Sequence, residues 1–194
     1  MKINIGSGNK RIPDYINIDS YAGSEPDHVL DLERDNLPFD NDSVDHVIAH
    51  HILEHLGDGF FHCIKELYRV CKHGTEIDIR VPHPRHDIFL IDPTHKRPIY
   101  SHTLDMFSKK RNKEDIKNGG SETPLGLIHD VDMRVKDFKF ALDPYWDKIF
   151  KNYTDEQCIH TSRTHNNVIA EILITWSVHK MDEPQNIMYQ VANT

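Results

Sequence analysis

The sequence predicts a Rossmann-like α/β fold, with a mostly parallel sheet, flanking helices and a long insertion or lid after the fifth strand. Short apolar strands alternate with helical or irregular crossovers, which is the pattern of a parallel sheet. The turn Gly6-Ser7-Gly8 follows directly on the first strand. Acidic or histidine residues lie where the later strands end, at the edge where such sheets bind ligands.

The length of the chain, 194 residues, suits one compact domain. We therefore expect a single domain over residues 1–194. Within it, the segment 83–133 is rich in proline, histidine and charge and contains Asn118-Gly119-Gly120-Ser121. Long loops inside a compact domain are usually functional, so this segment is predicted to be a lid that binds substrate, with a short helix near 103–107.

Five strands are expected in the first half of the chain, because short apolar or alternating segments end at turns or polar residues. They are residues 2–5, 15–19, 29–32, 44–49 and 75–81. Apolar residues at three- and four-residue steps predict a largely helical segment over 52–72, interrupted at Gly57 and Gly59 and ended by Gly74. After the lid we expect a strand over 135–142, a helix over 144–152 and a strand over 168–179.

Composition excludes several classes of protein. The formal charge of −8 argues against a nucleic-acid partner, which needs a basic surface, and Lys109-Lys110-Arg111 is interpreted as a solvated loop. No apolar run is long enough to span a membrane, and the N-terminus has no apolar signal core. The three cysteines lack CxxC spacing, which favours a reducing, cytoplasmic location without disulfides.

The glycine turn indicates a nucleotide-type cofactor. Its glycines permit positive φ and a close approach of backbone to ligand, and a carboxylate at the end of the second strand, Asp19, can accept hydrogen bonds from both ribose hydroxyls. Binding of NAD would favour a third glycine where the chain has Arg11, and a helix N-terminus for the pyrophosphate. S-adenosylmethionine has no phosphate and needs neither feature.

Three longer segments carry a family resemblance. They read KINIGSGNKRIPDYINIDS, VLDLERDNLPFDNDSVDHVIAHHILEHL and CIKELYRVCKHGTEIDIRVP. Their order of elements resembles class I S-adenosylmethionine-dependent methyltransferases, in the broad group that contains small-molecule and saccharide enzymes. The resemblance covers roughly residues 2–107 and is poorly specific for the substrate.

The resemblance implies a set of cofactor-binding residues. Gly6 and Gly8 would approach the methionine part of the cofactor, and Asp19 would hold the ribose. The remaining members would line the turn or flank the adenine and methionine: Asn4, Ser7, Ile18, Ser20, Asp31, Leu32 and His50. Asp31 would accept the adenine amino group, although a turn-capping carboxylate is an alternative. Glu54 and His55 are interpreted as structural residues of the following helix.

One departure from the family concerns the first strand. Most members have a helix before it that helps to cover the cofactor, whereas here the strand begins at residue 2. Three explanations stay open: a more open pocket, cover from another element such as the lid, or a domain cut from a longer polypeptide.

The segment after the fifth strand supplies candidates for catalysis. Methyl transfer to a hydroxyl needs a general base or a metal that lowers the hydroxyl pKa. His83 or His95 would be the base, Asp92 would orient an imidazole, and His51 is a further catalytic candidate. His86, Lys96 and Arg97 would bind substrate. In a second, less favoured interpretation His83, His86, Asp92 and His95 hold a divalent metal; in a third, these residues only fix the lid by hydrogen bonds.

The sequence therefore predicts a methyltransferase that O-methylates a sugar hydroxyl of a glycan or another small polar acceptor. The choice of acceptor depends on the segment 92–97, which resembles predicted methyltransferases associated with glycan synthesis. The alternatives are an N- or C-methyltransferase on another metabolite and a catalytically silent S-adenosylmethionine-binding module. Partners other than the acceptor would be covalent neighbours in a larger polypeptide or further copies of the chain.

Overall fold

A computed structural model describes residues 1–181; residues 182–194, the end of the single domain expected from the sequence, lie outside the described residues. The described part contains seven strands and seven α-helices. The strands are β1 (Lys2–Ile5), β2 (Ile16–Asp19), β3 (His28–Val29), β4 (Val44–His50), β5 (Cys71–Pro82), β6 (Met133–Leu142) and β7 (Ile169–Val178). The helices are α1 (Phe60–Val70), α2 (Asp87–Ile91), α3 (Ser101–Asp105), α4 (Lys109–Lys117), α5 (Leu125–Ile128), α6 (Pro144–Phe150) and α7 (Asp155–Thr164).

The strands form one sheet in the order β3-β2-β1-β4-β5-β7-β6. Strands β1 to β5 pair in parallel, and β7 lies antiparallel to both β5 and β6. The predicted Rossmann-like fold is confirmed. Strand order reverses at β1 and β4, so their carboxyl ends, at Ile5 and His50, flank the crevice in which such sheets bind ligands.

One face of the sheet carries the hydrophobic core. The inward side chains of the central strands, such as Ile5, Val47 and Ile79, are at most 2% exposed. Helix α1 covers them because its apolar residues recur at helical spacing and bury one stripe. Burying each such side chain contributes about 1.5–3 kcal/mol.

The opposite face carries mostly polar side chains, which we call the open face. Period-two alternation puts His50, Asp78 and Arg80 on it, and Asp78 and Arg80 are exposed. Parallel sheets usually have helices on both faces. Here the crossovers from β1 to β4 are short loops with a single turn of 3-10 helix at Ala22–Ser24, so they place no α-helix on the open face.

The insertion differs from a structureless lid. It contains α2 to α5, and the residues that it buries in the core include Ile99, Leu104 and Phe107. The predicted helix at 103–107 corresponds to α3, whereas the segment 109–111, interpreted as a loop, begins α4. The insertion is therefore part of the folded core.

Two further predictions need correction. Helix α1 ends at Val70, and Gly74, with φ of 82°, lies inside β5 instead of ending the helix. Helix α7 was not predicted at all. Cys63, Cys71 and Cys158 are free thiols in the structure, and burial raises the pKa of Cys63 to about 12, which leaves that thiol inert. Within residues 1–181, the helices are all too short or too polar to cross a bilayer.

Candidate active site

The glycine turn adopts a conformation that glycine alone accepts easily. Gly6 and Gly8 have φ of 62° and 47°. A Cβ on Gly6 would lie 2.6 Å from the Cβ of Ile52, whereas a Cβ on Gly8 would meet no atom within 4 Å. The turn is therefore packed against the segment after β4 on one side and open on the other.

Asp19 fixes the geometry of this turn from the end of β2. Its Oδ2 accepts the Gly8 N–H at 2.7 Å, and its Oδ1 accepts the Tyr21 N–H at 2.8 Å. A carboxylate has about four acceptor sites, so two remain for a ligand, beside the open space at Gly8. The exposed Ser20 follows directly, and Ser7 Oγ is buried without a hydrogen-bond partner among the described residues.

Three side chains expected at the cofactor serve the interior instead. Ile18 is fully buried and Leu32 is 8% exposed, both in the hydrophobic core. Asn4 is 4% exposed and donates to Asn17 Oδ1 at 2.9 Å and to Lys10 O. Their side chains are thus unavailable to a ligand, because close packing occupies them.

Asp31 caps a turn, which was the alternative to its predicted contact with adenine. Its Oδ1 accepts the Glu33 N–H at 2.9 Å, which closes a turn after β3. Its side chain is 41% exposed, so Oδ2 still reaches solvent, where Arg34 lies 3.6 Å away. The capping role is present in the structure, and adenine recognition stays a prediction.

His50 and His51 diverge at the end of β4, as expected for neighbours. His50 lies on the open face in a shallow cavity of about 220 Å³ with Asp78 and Arg80, and burial followed by the nearby Arg80 lowers its pKa. His51, with φ of 54°, points its Nε2 to Glu171 at 2.9 Å and its Nδ1 to Glu54 at 3.5 Å. The Glu54 carboxylate raises the pKa of His51, which therefore favours the imidazolium and is a poor base.

A group of three residues at the carboxyl edge of β4 was not predicted. Glu54, His55 and His95 each present a ligand-type atom, and these atoms lie within 4.8 Å of one another. His55 and His95 line a cavity of about 540 Å³ whose lining also includes His51 and Asp92, and the buried Glu54 lies behind them in the chain segment after β4. We call Glu54, His55 and His95 the edge triad.

Hydrogen bonds fix the proton positions on both imidazoles of the edge triad. His95 Nδ1 contacts the Phe89 carbonyl at 2.8 Å and must donate to it, because a carbonyl only accepts. Thr94 Oγ1 donates to Asp92 Oδ1 at 2.6 Å and so accepts from His55 Nδ1 at 2.8 Å. Each neutral ring therefore keeps a lone pair on Nε2.

His83 carries its proton on the other ring nitrogen, Nε2, than His55 and His95 do. It is 7% exposed and borders a cavity of about 760 Å³ lined also by Tyr100, Phe140 and Arg163. Its Nδ1 accepts the Arg85 N–H at 3.2 Å, so the proton of the neutral ring lies on Nε2. His83 is set to donate a hydrogen bond, which corrects its predicted role as general base.

The pH dependence of stability tests the environment of His83. Burial, and then the charges of Arg85 and His86, lower its pKa below 6.5. The unfolded chain thus binds the proton first as pH falls, so this residue contributes stability above about pH 6.5 that is lost below it. We expect His83→Gln to reduce the fall in unfolding free energy between about pH 7 and about pH 5.5, measured by urea denaturation. Equal falls in the variant and the wild type would contradict the assignment.

The residues expected to bind substrate have structural partners. His86 Nδ1 accepts the Ile88 N–H at the start of α2, and its Nε2 lies 3.4 Å from Asp143. Lys96 pairs with Glu33 at 3.3 Å. Arg97 donates to Leu56 O at 2.8 Å and to Gly57 O at 2.5 Å, and stacks over Phe60. These contacts join the insertion to the loop after β4, and they engage the charged groups of both Lys96 and Arg97.

The four residues proposed as a metal set are not brought together. His83 lies in the large cavity and His86 caps α2, whereas Asp92 and His95 line the cavity at β4. Among residues 1–181, the edge triad is the group in which three potential metal ligands lie close together. One of the four predicted ligands, His95, belongs to the edge triad. A second, Asp92, places its Oδ2 3.9 Å from His95 Nε2.

Comparison with known proteins gives a family match over part of the chain and a shared fold. Residues 13–77 match the methyltransferase domain family. A search of curated proteins found no match. The matched residues run from the loop before β2 into β5 and make up about a third of the chain.

Three solved structures share the fold at low identity. A methyltransferase from Archaeoglobus fulgidus is 18% identical with a TM-score of 0.57, covering 91% of this chain and 85% of its own. A methyltransferase from Mesorhizobium loti is 12% identical with a TM-score of 0.50, and the match covers 91% of this chain and 90% of that one. The cyclase SpnF is 12% identical with a TM-score of 0.53, covering 93% and 75%. Identity this low establishes the fold and leaves the reaction open.

Proposed function

We propose that this protein is an S-adenosylmethionine-dependent methyltransferase that O-methylates a hydroxyl of a sugar or another small polar acceptor. The observation that carries the proposal is the alignment of the glycine turn, Asp19 and the edge triad along the carboxyl ends of β1, β2 and β4. Ile52 packs against Gly6, and it lies between His51 and Glu54 in sequence. The expected cofactor turn and the edge triad therefore share one connecting segment.

The residues at the turn fit S-adenosylmethionine. Two free acceptor sites on Asp19 match two ribose hydroxyls. The unpartnered Ser7 Oγ and the open space at Gly8 lie in the same turn. When bound, the cofactor supplies an electrophilic methyl group on a sulfonium.

The protein's part in methyl transfer is alignment and proton removal. Attack by the acceptor oxygen forms a C–O bond as the C–S bond breaks, so the hydroxyl must lose its proton. The lone pairs on Nε2 of His55 and His95 supply acceptors at the edge of β4. Both ring nitrogens of His51 face carboxylates, whereas the Nε2–H of His83 is suited to orienting an oxygen.

The large cavity supports a polar acceptor with apolar faces. Its volume of about 760 Å³ is within the usual range for small-molecule sites. Tyr100, Phe140 and Phe150 give aromatic walls, and sugars commonly stack on such surfaces through their C–H faces. The large cavity shares no lining residue with the cavity of His55 and His95, so His83 would donate to a part of the acceptor remote from the reacting hydroxyl.

Methyl transfer itself needs a direct assay, because a cyclase shares this fold. Purified protein would be incubated with methyl-labelled S-adenosylmethionine and parallel panels of monosaccharides, nucleotide sugars and small amines. We expect label in a base-stable methyl ether of a sugar. Label in an amine would identify the N-methyltransferase alternative. Cofactor binding without transfer to any panel would identify the silent module and overturn the proposal.

A further inference from the structure

We propose that the edge triad, Glu54, His55 and His95, binds a divalent first-row transition metal such as zinc. The inference deepens the proposed function, because an ion held by the Nε2 lone pairs of His55 and His95 would replace them as the group that activates the acceptor hydroxyl. Two histidines and a glutamate form a ligand set typical of zinc sites with an open position, and the same set with open positions suits iron(II).

The first argument is the state of Glu54. Its side chain is 1% exposed, and neither carboxylate oxygen has a hydrogen-bond partner among the described residues. An unpaired buried carboxylate is strongly unfavourable. The nearest cationic group is His51 Nδ1 at 3.5 Å, and His51 is already bonded through Nε2 to Glu171. A bound cation would give the Glu54 carboxylate direct coordination in addition to its 3.5 Å contact with His51 Nδ1.

The second argument is the orientation of the imidazoles. Metal-binding histidines usually donate their other ring N–H to a carbonyl or a carboxylate, which fixes the tautomer. His95 donates through Nδ1 to Phe89 O, and His55 donates through Nδ1 to Thr94 Oγ1, which Asp92 holds in turn. Both rings thus have the proton arrangement of ligands that coordinate through Nε2.

The third argument is the rigidity with which two distant segments are held together. The Lys96 N–H donates to the Glu54 carbonyl at 2.8 Å, and Arg97 donates to the carbonyls of Leu56 and Gly57. These bonds fix the segment of His95 against that of Glu54 and His55. Ligand atoms around zinc lie about 3.3 Å apart, so the 4.8 Å limit of the empty group requires only small inward movements.

Local charge and space also suit a cation. Glu54 and Glu171 lie against His51, and Asp92 lies 3.9 Å from His95 Nε2, so three carboxylates lie beside the histidines at this edge. The adjoining cavity of about 540 Å³ leaves room for water or an acceptor oxygen on the ion. A metal there would lower the pKa of a bound hydroxyl.

The test is metal binding by the whole chain in the absence of cofactor. Protein stripped with a chelator would be titrated with Co²⁺, followed by visible absorption, and with Zn²⁺, followed by calorimetry. We expect one ion per chain and the absorption bands of a cobalt site with nitrogen and oxygen ligands. Glu54→Gln and His95→Gln should each weaken binding by more than about 100-fold, since loss of a second-shell partner alone costs 10- to 100-fold.

Two further variants separate a built site from casual binding to a histidine-rich surface. Thr94→Val removes the acceptor that orients His55 and should weaken binding about 10- to 100-fold. His102→Gln, at an exposed histidine bonded to Glu122, should leave binding unchanged. Glu54→Gln keeps the shape of the side chain and removes a buried charge, so it should fold, which circular dichroism would verify.

Two outcomes would overturn the inference: no stoichiometric binding by the wild type, or wild-type affinity in Glu54→Gln. S-adenosylhomocysteine binding would be measured on the same metal-free samples. Loss of metal binding with intact cofactor binding would reject the metal site alone, and the reverse result would reject the proposed function alone.

Discussion

Asp19→Ala is expected to abolish measurable cofactor binding. The carboxylate would accept two ribose hydroxyls, and hydrogen bonds to charged groups contribute about 1.5–3 kcal/mol each. Losing both costs about 3 kcal/mol or more, which is roughly 100-fold or more in Kd. The substitution also frees the N–H groups of Gly8 and Tyr21, which loosens the turn and adds to the loss.

The measurement is calorimetric titration with S-adenosylhomocysteine. Asp27→Ala is the matched control, because Asp27 also accepts backbone N–H bonds from β2, at Asn17 N, but lies away from the glycine turn. We expect the control to retain affinity even if its stability falls. Equal affinity of wild type and Asp19→Ala would remove Asp19 from the cofactor site.

Gly6→Ala is expected to lower the free energy of unfolding by about 2–5 kcal/mol. An alanine at φ of 62° costs about 1–2 kcal/mol. Its Cβ would also lie 2.6 Å from Ile52, and overpacking costs typically 1–3 kcal/mol. Relief of this clash would displace Ile52 and, with it, the neighbouring Glu54 and His55.

Gly8→Ala provides the comparison, because it has the same sign of φ and no atom within 4 Å of the added Cβ. Its free energy of unfolding should fall by about 1–2 kcal/mol, the conformational cost of positive φ alone. Urea denaturation of both variants measures the difference. If the two lose the same free energy, the contact between the glycine turn and the segment after β4 is not a structural constraint.

The fold was readable from the sequence because its signals are local. Alternating apolar residues set the inner strands, so β1 was predicted over its full range and β4 to within one residue. Gly6 was identifiable because it follows a strand directly. Helix α7 was missed because Cys158 and Ile159 are its main apolar residues, although Thr154 and Gln157 form a capping box that could have indicated its start.

The site was less readable because its contacts are long-range. Glu54 and His55 have local spacing typical of a helix and were interpreted as such, yet His95 reaches them from another segment through Thr94. The structural contacts of Lys96 and Arg97 could not be predicted because their acceptors, Glu33 and the carbonyls at Leu56 and Gly57, are distant in sequence, and their binding of substrate stays a prediction. No periodicity encodes such partners.

The open face of the sheet shows a similar limit. Polar residues on β4 and β5, such as His50 and Arg80, alternate with buried ones, which the sequence shows clearly. The alternation alone did not reveal that short crossovers put no α-helix over this face. His50 therefore lies in a shallow cavity with Asp78 instead of only at the carboxyl edge.

The central claim is that this chain binds S-adenosylmethionine at the Gly6–Gly8 turn. Its most direct test is titration of the wild-type chain with S-adenosylhomocysteine in a calorimeter. We predict saturable binding of one molecule per chain, with heat that disappears in Asp19→Ala. Absence of binding by a folded wild-type chain, at concentrations that saturate known methyltransferases, would contradict the claim.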